Sequence, residues 1–154
     1  GKRRFLSAAL ACAVIMPVLH PIKKNPSSTF FKPGRLEAAI GTNRRVLILP
    51  FGIHSDSSYW QQENEFGFVQ TGGYLGYPPR DNDKNPAVRQ MMLRKYNASL
   101  AEDLRNFCAQ TKTEFIIVGS TLDPPVSGAL RQLAWPHQQV DDVTIFTVPG
   151  AVHG

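Results

Sequence analysis

The sequence predicts an α/β protein: an N-terminal transmembrane helix followed by a small parallel or mixed sheet with flanking helices. Three observations carry this. Phe5 to Leu19 is an almost unbroken apolar run behind Lys2-Arg3-Arg4. Val46-Leu47-Ile48-Leu49 and Phe115-Ile116-Ile117-Val118 are short continuous apolar runs rich in β-branched residues, bounded by Pro50 and Gly119. Strands buried on both faces read this way. Between and after them, apolar residues recur at helical spacing.

A helix rises about 1.5 Å per residue, so a hydrocarbon core of about 30 Å takes roughly 20 residues. Phe5 to Ile22 is near the lower limit of that length. Lipid tolerates Ser7 and Cys12, Pro17 falls close to a helix end, and His20 would sit at the headgroups. Two other readings compete. A cleaved signal peptide shares the basic start, but no small-x-small cleavage site follows the apolar run. A buried core helix is the other; the all-round apolar character argues against it, since a helix at a protein surface should show a polar face. The chain begins with Gly rather than Met, and the basic cluster abuts the apolar run, so the expectation is the last span of a truncated chain. Positive charge stays on the cytoplasmic side, so Lys2, Arg3 and Arg4 place the soluble domain outside the cell. Lys23 and Lys24 add charge on the other flank. The expected division is 1–22 transmembrane helix, 23–45 connector and 46–154 extracytoplasmic α/β domain.

The net charge of +5 is concentrated early. Lys2, Arg3, Arg4, Lys23, Lys24, Lys32 and Arg35 exceed it on their own, and the remainder is nearly balanced. Such charge suits anionic lipid headgroups. It forms no basic face interleaved with aromatics, so no nucleic acid is expected as a partner. Cys12 and Cys108 do not make a disulfide framework; Cys108 is expected as a small buried apolar residue.

The elements follow in order. Lys23 to Gly34 is broken by Pro26, Pro33 and Gly34. Leu36 to Ile40 reads as a short helical turn ended by Gly41. The Val46 to Leu49 strand comes next. Ser55 to Pro86, rich in Gly, Pro, Asp and Asn, reads as a long loop with a short strand at Phe66 to Val69. Ala87 to Tyr96 is a helix. A second helix follows, capped by Asn97 or Ser99, with Leu100, Leu104, Phe107 and Cys108 as its apolar stripe. Phe115 to Val118 is the second strand. Pro124 and Pro125 open another helix, where a missing N–H costs nothing, with Val126, Leu130, Leu133 and Ala134 on its apolar side. Val143 to Val148 is the last strand, after a turn at Asp141-Asp142. This alternation predicts a sheet covered by helices.

Candidate chemistry is sparse. His54, Asp56, Ser57 and Ser58 follow the first strand, where α/β folds bind ligands. No G-x-S-x-G elbow accompanies them and no His lies at metal-ligand spacing, so a solvated loop is the plainer reading. His137 and His153 read as surface residues. Gly72-Gly73-Tyr74-Leu75-Gly76 matches no phosphate loop and reads as a turn. Tyr59, Trp60, Phe66, Phe68, Tyr74 and Tyr77 either pack the long loop onto the sheet or form a platform for sugar or lipid headgroups. Asn97-Ala98-Ser99 fits a glycosylation sequon, although capping explains it more simply. The binding candidates are therefore His54, Asp56, Tyr59, Trp60 and Tyr74. No catalytic residue, metal or cofactor is assigned.

One pattern goes beyond periodicity. Val46-Leu47-Ile48-Leu49-Pro50-Phe51-Gly52, then Tyr59-Trp60-Gln61-Gln62-Glu63, Phe66-Gly67-Phe68 and Gly72-Gly73-Tyr74-Leu75-Gly76 occur in this order. The stretch from Val46 to Tyr77 resembles the C-terminal extracytoplasmic domain of polytopic bacterial membrane proteins related to the C-type glycosyltransferases. It departs from that pattern at Gly67, where a larger or basic residue is common. The resemblance implies a parent protein that transfers sugar from a lipid-phosphate donor on the outer face of the bacterial inner or plasma membrane. Its catalytic carboxylate would lie in an early loop outside this chain, so this domain would be non-catalytic by itself. The implied partners are membrane lipid, the remaining transmembrane part of the same protein, and a lipid-linked sugar. The alternatives are a membrane-anchored or secreted module that binds envelope glycans or lipids, and a small hydrolase using His54, Asp56 and Ser57.

Overall fold

The computed structural model describes residues 28–52, 55–72 and 84–151. Its centre is β1 (Arg45–Leu49), a strand with parallel neighbours on both sides. One neighbour is β2 (Val69–Gln70) and the other is β3 (Phe115–Val118). Beyond β3 come β5 (Val143–Thr147), antiparallel to it, and β4 (His137–Val140), antiparallel to β5. The order β2-β1-β3-β5-β4 makes one mixed sheet of five strands. The fold class is thus α/β, with the mixed form of the expected sheet. The apolar segment expected to cross a membrane lies outside the described residues. Among the described residues, no helix is long and apolar enough to span a bilayer.

Successive strand residues face opposite ways, so a strand covered on both sides is apolar throughout. Leu47 and Leu49 join Ile116 in one core. Val46 and Ile48 join Ile117 and Ile145 in the other. The first core is covered by α3 (Pro86–Leu93), α4 (Leu100–Thr111) and α5 (Pro124–Leu133). The second is covered by α1 (Arg35–Ile40), by α2 (Ser57–Glu63), and by Phe30, Phe31 and Phe68.

Local chemistry sets the helix ends. Asn85 Oδ1 accepts the Ala87 N–H at 3.0 Å, with Pro86 at the first helical position, the arrangement that suits a helix start. Before α4, Asn97 Oδ1 accepts from the Ser99 N–H at 2.9 Å and from its hydroxyl at 2.7 Å. Asn97 therefore organises the turn and Ser99 holds the N-cap position without a side-chain bond to a helix N–H. α5 opens on Pro124, and its buried side is Val126, Ala129, Leu130 and Leu133. Ala134, expected on that side, is instead the exposed left-handed residue that ends the helix.

Three further differences from expectation have physical causes. α2 forms inside the segment read as loop, because Trp60 and Gln61 bury its inner side. The short strand is displaced to Val69–Gln70. Glu65 and Phe66 take left-handed backbone angles that turn Phe66 outward, 68% exposed, while Phe68 goes into the core. β4, His137-Gln138-Gln139-Val140, is polar and pairs only with β5 at the sheet edge.

Part of the expected connector packs as core. Phe30 and Phe31 are fully buried. Their approach is fixed by Asp142 in the β4–β5 turn. Its Oδ1 accepts from Ser28 Oγ (3.1 Å), Thr29 Oγ1 (2.9 Å), and the Thr29 and Phe30 N–H groups (3.1 and 3.2 Å). Partial burial alone would raise the Asp142 carboxyl. The bonds from Thr29, Ser28 and Phe30 outweigh that and hold it below the ordinary value.

Candidate functional site

The topology marks one place for a ligand. From β1 the chain crosses by α2, on the second core, to β2. It then returns over β1 by α3 and α4, on the first core, to β3. The two crossovers depart in opposite directions, so a crevice opens between the carboxyl ends of β1 and β3, the usual ligand position in open α/β sheets. Leu49, Pro50 and Phe51 form one wall and Ser120 to Asp123 another, around a cavity of about 230 Å³. The Leu49–Pro50 peptide is cis.

The polar heart of the crevice is Asp123, at the N-cap of α5. The Tyr96 hydroxyl donates to Asp123 Oδ2. Arg94 Nε donates to the same oxygen at 2.9 Å, and Arg94 Nη2 pairs with Oδ1. Arg94 reaches this position from the left-handed residue that ends α3. Burial, then the hydrogen bond to Asp123 and its charge, push the Tyr96 phenol up to about 12, against the opposing effect of Arg94. The phenol therefore stays a neutral donor.

The crevice sets hydrogen-bonding groups beside an apolar wall. A phenol, a guanidinium, a carboxylate and the Ser120 and Thr121 hydroxyls face a wall built from Phe51 and Leu49. Alternating donors and acceptors beside apolar surface suit a hydroxyl-rich neutral ligand. A phosphate is less well served. Helix N-termini bind anions through free N–H groups, and Pro124 and Pro125 at the head of α5 supply none. Among the described residues of the crevice there is no histidine to activate the Ser120 or Thr121 hydroxyl.

The residues expected from the sequence lie elsewhere or outside the described segments. His54 and Tyr74 fall among the residues not described. Asp56 takes the N-cap position of α2 without a side-chain capping bond. Tyr59 is half-buried, and its phenol is raised by desolvation and by Glu63. Trp60 is a core residue, 3% exposed, with its ring stacked on Phe31 at 4.6 Å and 6°. A ligand platform needs an accessible ring face, so burial replaces the binding role expected for Trp60. Ser57 is 5% exposed and its hydroxyl accepts from Gln70 Nε2 at 2.8 Å. None of Asp56, Tyr59 and Trp60 lines the crevice. Arg94, Tyr96 and Asp123 were not singled out from the sequence. The rule that pointed to the loop after β1 applies equally to the loop after β3, and would have found Asp123. No family model, no curated protein and no solved structure matches the chain.

Proposed function

We propose that the chain is the C-terminal extracytoplasmic domain of a glycosyltransferase-like integral membrane protein of the bacterial inner or plasma membrane. By itself it is non-catalytic, and its Tyr96–Asp123 crevice holds the sugar of a lipid-linked molecule. One relationship carries this reading. Val118 pairs with Thr144 and Val140 with Val143, so the Asp141-Asp142 turn projects beyond the same sheet edge as the crevice. Asp142 binds Ser28 there. With Phe5 to Leu19 in a bilayer, the chain to Ser28 extends at most about 30 Å. The crevice is then held close to the headgroups, where a lipid-linked sugar is presented.

A secreted or anchored glycan-binding module would use the same crevice without the parent protein. The hydrolase alternative is weakened by Ser57, whose hydroxyl is buried against Gln70.

The test uses the full chain in lipid bicelles, with a short-chain polyprenyl-phosphate monosaccharide and the same polyprenyl phosphate without sugar. Saturation-transfer NMR is expected to show contact at the sugar protons, with affinity lowered in Tyr96→Phe and Asp123→Asn. Equal behaviour of the two lipids would remove the sugar assignment. In spheroplasts the domain is expected to be open to protease, and its protection would overturn the topology. Turnover of ester, phosphate or glycoside substrates, abolished by His54→Ala, would replace the scaffold with a hydrolase.

A further inference from the structure

A second and larger cavity, about 770 Å³, opens at the opposite edge of the sheet, where β1 and β3 begin. Five β1 residues at about 3.3 Å each put it roughly 16 Å from the Tyr96 crevice. One wall is a face of α4: Arg105, Cys108, Ala109 and Lys112 follow the i, i+3, i+4, i+7 spacing of a single helix side. The floor is apolar: Ala109, Pro149 and Ala151 offer its accessible surface, and the buried Cys108, Trp135 and Val148 lie behind it.

The rim is basic. Arg44, Arg45, Arg105 and Lys112 stand around that floor. Among the lining residues Glu114 is the sole carboxylate, and it is already engaged: Arg44 Nη1 lies 2.9 Å from Oε1, and the Arg45 N–H donates to Oε2 at 2.9 Å. Arg105 pairs with Glu102 outside the cavity. Arg45 and Lys112 remain as excess positive charge. Arg45 Nε is also tied to the Thr111 carbonyl at 2.7 Å, so its guanidinium is held in place before any ligand arrives, which lowers the entropic cost of binding.

We propose that this groove binds an anionic amphiphile: a phosphate or carboxylate head on an apolar body. The head sits between Arg45 and Lys112, and the body lies over Ala109, Pro149 and Ala151, with the buried Trp135 bordering the same cavity. A bare anion would leave the apolar floor wet, and a neutral hydrocarbon would leave the rim unmatched. A single-stranded nucleic acid needs an open aromatic face for its bases, and Trp135 is only 7% exposed.

The test is 19F NMR of the full chain carrying 5-fluorotryptophan in zwitterionic bicelles, with decyl phosphate as the probe. The two resonances come from Trp60 and Trp135, and Trp135→Phe assigns them. Trp60 lies in the core across the sheet and serves as the internal reference. The expected result is a saturable shift of the Trp135 signal alone. Lys112→Glu is expected to weaken it by about tenfold, as loss and reversal of a rim charge does. Decyl maltoside is expected to produce no shift, and inorganic phosphate at the same concentration is expected neither to shift the signal nor to compete. An equal shift with decyl maltoside would overturn the role of the basic rim. A shift with inorganic phosphate would leave a simple anion site in place of the amphiphile site. A motionless Trp135 signal, or unchanged affinity in Lys112→Glu, would also refute the proposal. The comparison of decyl phosphate with decyl maltoside needs no variant, so a poorly folded variant does not spare it.

Discussion

Gly119 lies against the edge of the Trp60 indole. A Cβ at this position would run into Cη2 and Cζ3 of the ring and lie 3.2 Å from Cζ2. Phe31 covers one face of the same ring. The end of β3 thus lacks a side chain so that α2 can seat its tryptophan over the sheet.

The first expectation follows from that fit. Trp60→Ala should destabilise the domain by about 3–5 kcal/mol, the range for removing a large buried aromatic. Gly119→Ala should cost about 1–3 kcal/mol, because it overfills the same space. Urea unfolding measures both. An unchanged midpoint in either variant would contradict the packing.

Asp142 gives the domain an acid dependence. Its folded value lies below the unfolded one, near 3.8. Its contribution is complete above the unfolded value and is lost as pH falls through the folded value. Asp142→Asn should therefore lower stability at neutral pH and flatten the decline below about pH 4. Parallel stability curves for the two proteins in that range would show that Asp142 is not the group responsible.

Tyr96 should act at the other end of the scale. Its phenol ionises near 12 in the fold against 10.0 for a free tyrosine. The folded form keeps its proton where the unfolded form has lost it, so stability falls as pH rises from about 10 to about 12. Ultraviolet titration of the native chain minus that of Tyr96→Phe should give a step near pH 12. A step near pH 10 would mean that neither burial nor Asp123 acts on the hydroxyl.

Cys108 should be inert. It is 1% exposed, and burial raises its thiol to about 12 despite a lowering bond from Thr113. The thiolate is the reactive form. In a Cys12→Ser background, iodoacetamide at pH 8 should leave the native chain unmodified and should alkylate it in denaturing urea. Rapid native labelling would place Cys108 at the surface.

What the sequence revealed, and what it hid, follows from how local each signal is. β1 and β3 are built on four-residue apolar runs bounded by Pro50 and Gly119, and α4 carries a full helical stripe, so their burial is written into consecutive residues. α2 is only seven residues long, and its adjacent Tyr59 and Trp60 give no helical period. β4 is a polar edge strand whose existence depends on β5. The Tyr96–Asp123 contact joins residues 27 apart, across one helix and one strand. Nothing in either neighbourhood announces it, and only the rule about strand ends, applied to both parallel strands, reaches it. The aromatic cluster at Tyr59-Trp60 was visible as composition, but whether a ring faces solvent or the sheet is decided by Phe31 and Gly119, which are distant in sequence.

The hold of Asp142 on Ser28 spans 114 positions, and this has a consequence for biosynthesis. The β4–β5 hairpin leaves the ribosome after the other described strands and helices. Until it does, Phe30 and Phe31 have no Asp142 to fix their approach, and Val143 and Ile145 are missing from the layer those rings complete. Contacts this distant in sequence form late, because a long loop must close first. The helical layer over the first core has most of its parts sooner. The aromatic side of the sheet is therefore complete only once the β4–β5 hairpin has joined it.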